Sequence, residues 1–195
     1  GFEAYWAIPY GSKTAVEGKW VKGPGSHLFK AFQAKWPHMP FIAEDLGVIT
    51  PKVEELRDRF HLPGMKVLQF AFLNDSSNSF LPHYHIPHSV VYTGTHDNDT
   101  CQGWYQQAGE REKEYFLEYS YSDGTEVHWD MIRLAISSVS RMAIYPLQDV
   151  LGLDSSARMN TPSVEKGNWT WRAPEKGIPK ESLARLAHWV ELFGR

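Results

Sequence analysis

Short apolar runs alternate with segments of helical spacing along this chain, and that alternation leaves few folds open. Phe41–Gly47, Met65–Phe72, Val90–Thr93 and Arg141–Gln148 read as strands, rich in β-branched and aromatic residues. Lys52–Leu62 keeps helical spacing through Val53, Leu56 and Phe60, and three further helical segments lie between the third and fourth runs. Parallel strands need crossover connections, which helices supply, so the pattern predicts an α/β fold built on a parallel sheet. Four strands suit one half of an eight-stranded barrel, with the helices between strands three and four elaborating one βα loop.

Local signals place the other elements. Residues 1–25 read as an aromatic, glycine-rich loop. Ser26 is a candidate cap for a helix over His27–Trp36, with Leu28, Phe29, Phe32 and Trp36 on one side. Thr50-Pro51 predicts a helix start, Thr as cap and Pro at the first helical position. Later helices are expected at Cys101–Ala108, Glu110–Tyr119 and Thr125–Val139, then a Gly/Pro/Ser-rich loop over 152–179 and an amphipathic helix at Glu181–Phe193.

Composition narrows the function classes. A net charge of −3 gives no reason to expect nucleic acid or an anionic membrane as partner. A single cysteine, Cys101, excludes an internal disulfide and leaves reducing cytosol as the default. No apolar run approaches the roughly 20 residues that span a bilayer. The sequence opens abruptly at Gly1-Phe2-Glu3 and reads as part of something longer.

The chemistry gathers at strand ends. Val90–Thr93 breaks at Gly94 into Thr95-His96-Asp97-Asn98-Asp99-Thr100, and Phe41-Ile42-Ala43 runs into Glu44-Asp45. Strand-end carboxylates on a barrel face one rim, so Glu44 and Asp97 are expected to reach one substrate. A pair of acids is what glycosidic bond chemistry requires, one protonated donor and one stabiliser of positive charge at the anomeric carbon. Burial of Glu44 would raise its pKa toward the acid role. The plainer alternatives are that residues 97–100 cap the next helix and that Glu44 and Asp45 cap or pair around their loop. His83, His85 and His88 lie in an extended, proline-bracketed segment with no cysteine and make a poor metal site. Neither a Gly-x-Ser-x-Gly nucleophile elbow nor a phosphate-binding glycine loop is present.

Three segments together resemble one family: Phe41-Ile42-Ala43-Glu44-Asp45-Leu46-Gly47-Val48-Ile49-Thr50-Pro51, Leu62 through Phe72, and Tyr92 through Thr100 are similar to the 4-α-glucanotransferases of glycoside hydrolase family 77. Gly1-Phe2-Glu3-Ala4-Tyr5-Trp6 resembles the segment directly after that family's nucleophile motif. Arg158-Met159-Asn160-Thr161-Pro162 and Gly167-Asn168-Trp169-Thr170-Trp171-Arg172 resemble its C-terminal motifs.

The resemblance implies the C-terminal half of a (β/α)8 TIM barrel of the α-amylase clan, strands 5–8 with helical insertions, with residues 1–195 forming a partial catalytic domain. Glu44 matches the general acid/base and Asp97 the transition-state stabiliser, with His96, Asn160, Trp6 and Asn98 as substrate-binding residues. Trp and Tyr rings in 1–25 and 160–172 would stack on glucose units, although core packing accounts for more than half of such rings in general. The family's nucleophilic Asp lies in an Arg-Ile-Asp-His-Phe-Arg segment that does not occur here. Without it the isolated chain is expected to be inactive. No cofactor and no metal is implied. The partners would be an α-1,4-glucan donor, a glucose or maltooligosaccharide acceptor and the N-terminal half of the same barrel, in the cytoplasm or, for a plant protein, a plastid. A related α-amylase-type hydrolase and a non-catalytic glucan-binding half-barrel are the competing readings.

Overall fold

The computed structural model describes residues 1–195, which divide into two compact units, Gly1–Met65 and Lys66–Arg195. In the first unit, β1 (Ala4–Ala7) and β2 (Lys19–Lys22) pair antiparallel, with Trp6 opposite Trp20. This corrects the loop expected over residues 1–25. The two strands are separated by a long connection carrying a 3-10 turn at Ala15–Glu17, and no two-residue hairpin turn announces them. Trp6 Nε1 donates to the Ala15 carbonyl at 2.8 Å and ties that connection down.

Helix α1 (His27–Lys35) begins after Ser26, whose side chain makes no capping bond. Helix α2 (Pro51–Arg59) has proline in its first turn as expected, but Thr50 also leaves its hydroxyl out of the cap. It ends short of Leu62 because His61 turns left-handed, at φ 51°. Phe29, Phe60 and Leu62 form this unit's buried cluster, with Phe41 and Leu56 packed against it.

The strand expected at Phe41–Gly47 is a second correction. Only one parallel bridge forms, Ala43 with Gly64. The Asp45 carboxylate accepts the Met65 N–H at 2.7 Å and the Arg57 guanidinium at 2.7 Å, so the amide that would extend the ladder bonds a side chain instead. The ion-pair alternative thus holds for Asp45.

Strand β3 (Gly64–Val67) leads into the second unit and is cut short by a 3-10 turn at Leu68–Phe70. With β4 (Ser89–Tyr92) and β5 (Met142–Ile144) it forms a sheet in the order β3-β4-β5. The β4–β5 pair is parallel, Val91 lying opposite Ala143. Between these two strands come α3 (Cys101–Gln107), α4 (Glu110–Ser120) and α5 (Val127–Ser137). Strand β5 is shorter than Arg141–Gln148 because Pro146, which lacks an N–H, leads into α6 (Leu147–Val150). The last helix is α7 (Lys180–Leu192).

Phe72 is 1% exposed, and its ring meets Trp104, Tyr115, Phe116 and Tyr119 at 5.1–6.0 Å, the centre of the main core. A second cluster joins Trp129, Ile132, Ile136 and Val150 to Leu186 and Trp189 of α7. There Arg185 lies over the rings of Trp129 and Trp189, at 4.6 and 5.0 Å, and pairs with Glu126 at 2.9 Å. Arg195 donates to the carbonyls of Ile136, Ser138 and Ser140, neutralising the negative end of α5. No helix is long and apolar enough to cross a membrane.

Candidate active site

Strand β4 ends in a polar loop that is built from below. Thr93, fully buried, donates its hydroxyl to Asp149 Oδ2 at 2.6 Å, and the other Asp149 oxygen accepts the Cys101 N–H at 2.7 Å. One buried carboxylate therefore joins the end of β4 to the start of α3, and the loop 94–100 is strung between those two points. Burial pushes the Asp149 carboxyl above its usual range, against the opposing pull of the Cys101 amide and the Thr93 hydroxyl. Gly94 is required where it stands: a Cβ would lie 2.7 Å from the amide nitrogen of Gln69, which instead reaches past to the Asp99 carbonyl at 2.8 Å.

Within the loop the polar side chains divide by task. Asn98 Oδ1 accepts both the N–H and the hydroxyl of Thr95, each at 2.9 Å, and so closes the turn. Asp99 accepts from Ser155 at 2.7 Å, Gln107 at 2.8 Å and the Thr100 N–H at 2.8 Å. Thr100 caps α3, its hydroxyl accepting from the Gly103 N–H at 3.0 Å. The helix-capping alternative thus holds for Thr100 and not for Asp97.

Asp97 is held differently. Its Oδ1 accepts from Asn160 Nδ2 at 2.6 Å and lies 3.3 Å from His96 Nε2, while its carbonyl accepts from Arg158 at 2.7 Å. Arg158 also donates to the Asn160 carbonyl at 2.9 Å, and the Asn160 N–H bonds the His96 carbonyl at 3.1 Å, so residues 96–97 and 158–160 form one cross-braced unit. The Asp97 side chain remains 47% exposed, and Oδ2 has no protein partner. An oriented carboxylate with one free oxygen can accept a hydrogen bond from a ligand hydroxyl without reorganising. His96 packs against the Trp169 ring at 5.2 Å, and both line a cavity of about 200 Å³ with Thr95, Asn98 and Arg158. That is smaller than the roughly 300–1,000 Å³ typical of sites for drug-sized ligands.

In the first unit, Glu44 lines a cavity of about 660 Å³ whose walls include Phe2, Phe32, Phe41 and Leu56. Its side chain is exposed, so the burial expected of it is absent. Trp6, 41% exposed, packs edge-on against Trp20 at 5.5 Å.

The histidines of the 83–88 segment are engaged within the fold. His85 is buried between Ser138 Oγ (2.6 Å) and the Phe80 carbonyl (2.9 Å), and His83 lies 3.0 Å from the Tyr119 hydroxyl. No three His, Cys, Asp or Glu side chains are grouped to hold a metal ion.

Arg158, Asp149 and Gln69 do not stand out in the sequence as site residues. Asp149 comes soon after an apolar run, the same signal that marks Glu44 and Asp97. Arg158 belongs to the Arg158–Pro162 motif, but nothing in that motif says that its guanidinium turns back to the Asp97 carbonyl.

The family model described as 4-alpha-glucanotransferase matches residues 1–177. The 4-alpha-glucanotransferase of Thermus thermophilus is 52% identical over all of this chain and 41% of its own length; that of Synechocystis sp. is 50% identical, over 39% of its length. A chloroplastic/amyloplastic relative from Arabidopsis thaliana is 46% identical. Among solved structures, amylomaltase from Streptococcus agalactiae in complex with acarbose matches the whole chain with a TM-score of 0.94 at 32% identity, over 40% of that protein. Amylomaltase from Corynebacterium glutamicum, 15% identical with a TM-score of 0.71, has the same fold. The chain thus spans about 40% of the length of the relatives it matches first, and it belongs to the 4-alpha-glucanotransferase family, glycoside hydrolase family 77.

Proposed function

We propose that the full-length protein carrying this chain is a 4-α-glucanotransferase, moving α-1,4-glucan segments from a donor to a glucose or maltooligosaccharide acceptor by retaining double displacement. We assign the chain to the C-terminal half of a (β/α)8 barrel, strands five to eight. One observation carries the reading: Asp97, in the loop that follows a parallel strand, is braced by Asn160 with one oxygen left open, in a chain of this family.

Each acid has one task in each half of the reaction. The Glu44 carboxylic acid gives its proton to the glycosidic oxygen as a nucleophilic carboxylate attacks the anomeric carbon. The leaving glucan departs protonated and a glycosyl ester remains. We place that nucleophile in the part of the full-length protein outside these 195 residues, and the chain alone is then inactive. Next, the Glu44 carboxylate takes the proton of an acceptor 4-hydroxyl as its oxygen attacks the same carbon and the ester breaks. Asp97 accepts from the hydroxyls of the distorted ring, a contact that strengthens in the transition state. His96, Asn160, Asn98 and Trp6 serve as substrate-binding residues. No step needs a cofactor. We place the enzyme in the cytoplasm, or in a plastid if it comes from a plant, as the name of the Arabidopsis relative suggests.

Incubation of the full-length protein with maltotriose tests this. Disproportionation to glucose and longer maltooligosaccharides, without a net gain of reducing ends, is the expected outcome. Asp97→Asn should lower kcat on the order of 10²–10³-fold. A steady rise in reducing ends would make it a hydrolase, and an Asp97→Asn enzyme of wild-type activity would remove the site.

A further inference from the structure

Asp97 stands in a loop, and a loop side chain keeps a working geometry only where packing or hydrogen bonds fix it. Its orientation depends on one short bond, the 2.6 Å contact from Asn160 Nδ2, and Asn160 also lies outside any helix or strand. That bond is only as well placed as the two backbones behind it, and one side chain sets both. Arg158 donates from Nη2 to the Asp97 carbonyl at 2.7 Å and from Nε to the Asn160 carbonyl at 2.9 Å. A single guanidinium edge thus ties the main chains of the two residues whose side chains bond each other. Arg158 is itself anchored from behind. Its N–H bonds the Ser155 carbonyl at 3.1 Å, the Ser155 hydroxyl donates to Asp99 at 2.7 Å, and the buried Ala157 accepts from Gln148 at 3.2 Å. On the other side, the Trp169 N–H holds the Met159 carbonyl at 2.8 Å.

We infer that Arg158 is a positioning residue for glucan transfer, acting through Asp97 by holding it in register with Asn160. This rests on the glucanotransferase reading for the reaction and for the task of Asp97. The geometry asks for arginine: Nε and Nη2 share one rigid, planar edge that meets both carbonyls at once, whereas a lysine ammonium keeps the charge and loses the fork. A carboxylate displaced by about 1 Å from where the distorted ring needs it forfeits much of its effect on the rate. The contact it would make strengthens in the transition state, so the loss falls on kcat.

The test is a double-mutant cycle on the full-length protein, with maltotriose as substrate. Arg158→Ala should lower kcat about 10–10²-fold, more than it raises KM, and Arg158→Lys should share most of that loss. In an Asp97→Asn background, where the carboxylate is already gone, Arg158→Ala should cost less than about threefold further. A role confined to stability would instead multiply the two losses and follow the melting temperatures. Hydrogen exchange adds a reading that needs no turnover: the Asn160 amide, bonded to the His96 carbonyl at 3.1 Å, should exchange faster in both Arg158 variants. Arg158→Lys, the milder change, carries the whole cycle if the alanine variant does not fold. Losses that multiply in the double variant, a lysine variant of wild-type kcat, or unchanged exchange overturns the brace. A wild type that performs no transfer while exchange quickens in the variants supports the brace and overturns the enzymatic reading instead.

Discussion

Replacing Asp149 probes the foundation of the site. The carboxylate is 1% exposed and serves two buried partners, the Thr93 hydroxyl and the Cys101 N–H. Asp149→Ala leaves both donors facing a dry cavity, and a buried unsatisfied donor costs roughly 1–3 kcal/mol, so the loss is about 2–6 kcal/mol. Asp149→Asn keeps an oxygen for the Cys101 amide and lets the Thr93 hydroxyl rotate to accept from the new NH₂; its cost should be about 1 kcal/mol. Urea unfolding of the full-length protein, followed by near-UV circular dichroism at fixed m-value, measures both.

The pH dependence has a definite sign. Burial raises the Asp149 pKa in the folded state, so its contribution is complete below the usual Asp value of about 4 and declines as pH rises through the raised value. The cost of Asp149→Asn should therefore be largest near pH 4 and shrink toward neutrality. An alanine variant within about 0.5 kcal/mol of wild type, or an Asn cost that grows with pH, would refute the reasoning.

Two further predictions concern the packing around the site. His85 is held neutral by burial, its pKa lowered to about 4; the stability this implies is present above pH ~6.5 and lost as pH falls through 4, about 3 kcal/mol in all. Denaturant titrations at pH 7 and pH 4 should show His85→Gln losing less stability on acidification than wild type, and equal losses would contradict this. Phe72→Ala, at the centre of four aromatic contacts, should cost about 3–5 kcal/mol in chemical denaturation; a cost below 1 kcal/mol would mean that the cluster collapses into the space.

The sequence by itself marked most of the helices and the polar loop that follows β4. Helices such as Lys180–Leu192 were legible because packing on one face imposes a 3.6-residue period. The family could be read because short motifs such as Thr95–Thr100 keep their order in one dimension. What the tertiary structure alone decided is which polar groups meet. Asp45 joined Arg57 and Met65 where a strand was expected, the hairpin of Trp6 and Trp20 closed across a long connection, and Glu44 came out exposed. Asp97 found Asn160 across 63 positions, and Asp99 met Ser155 across 56. Periodicity reports how a residue sits on its own element; hydrogen-bond partners and burial depend on which distant segment folds over it, and no local pattern encodes that.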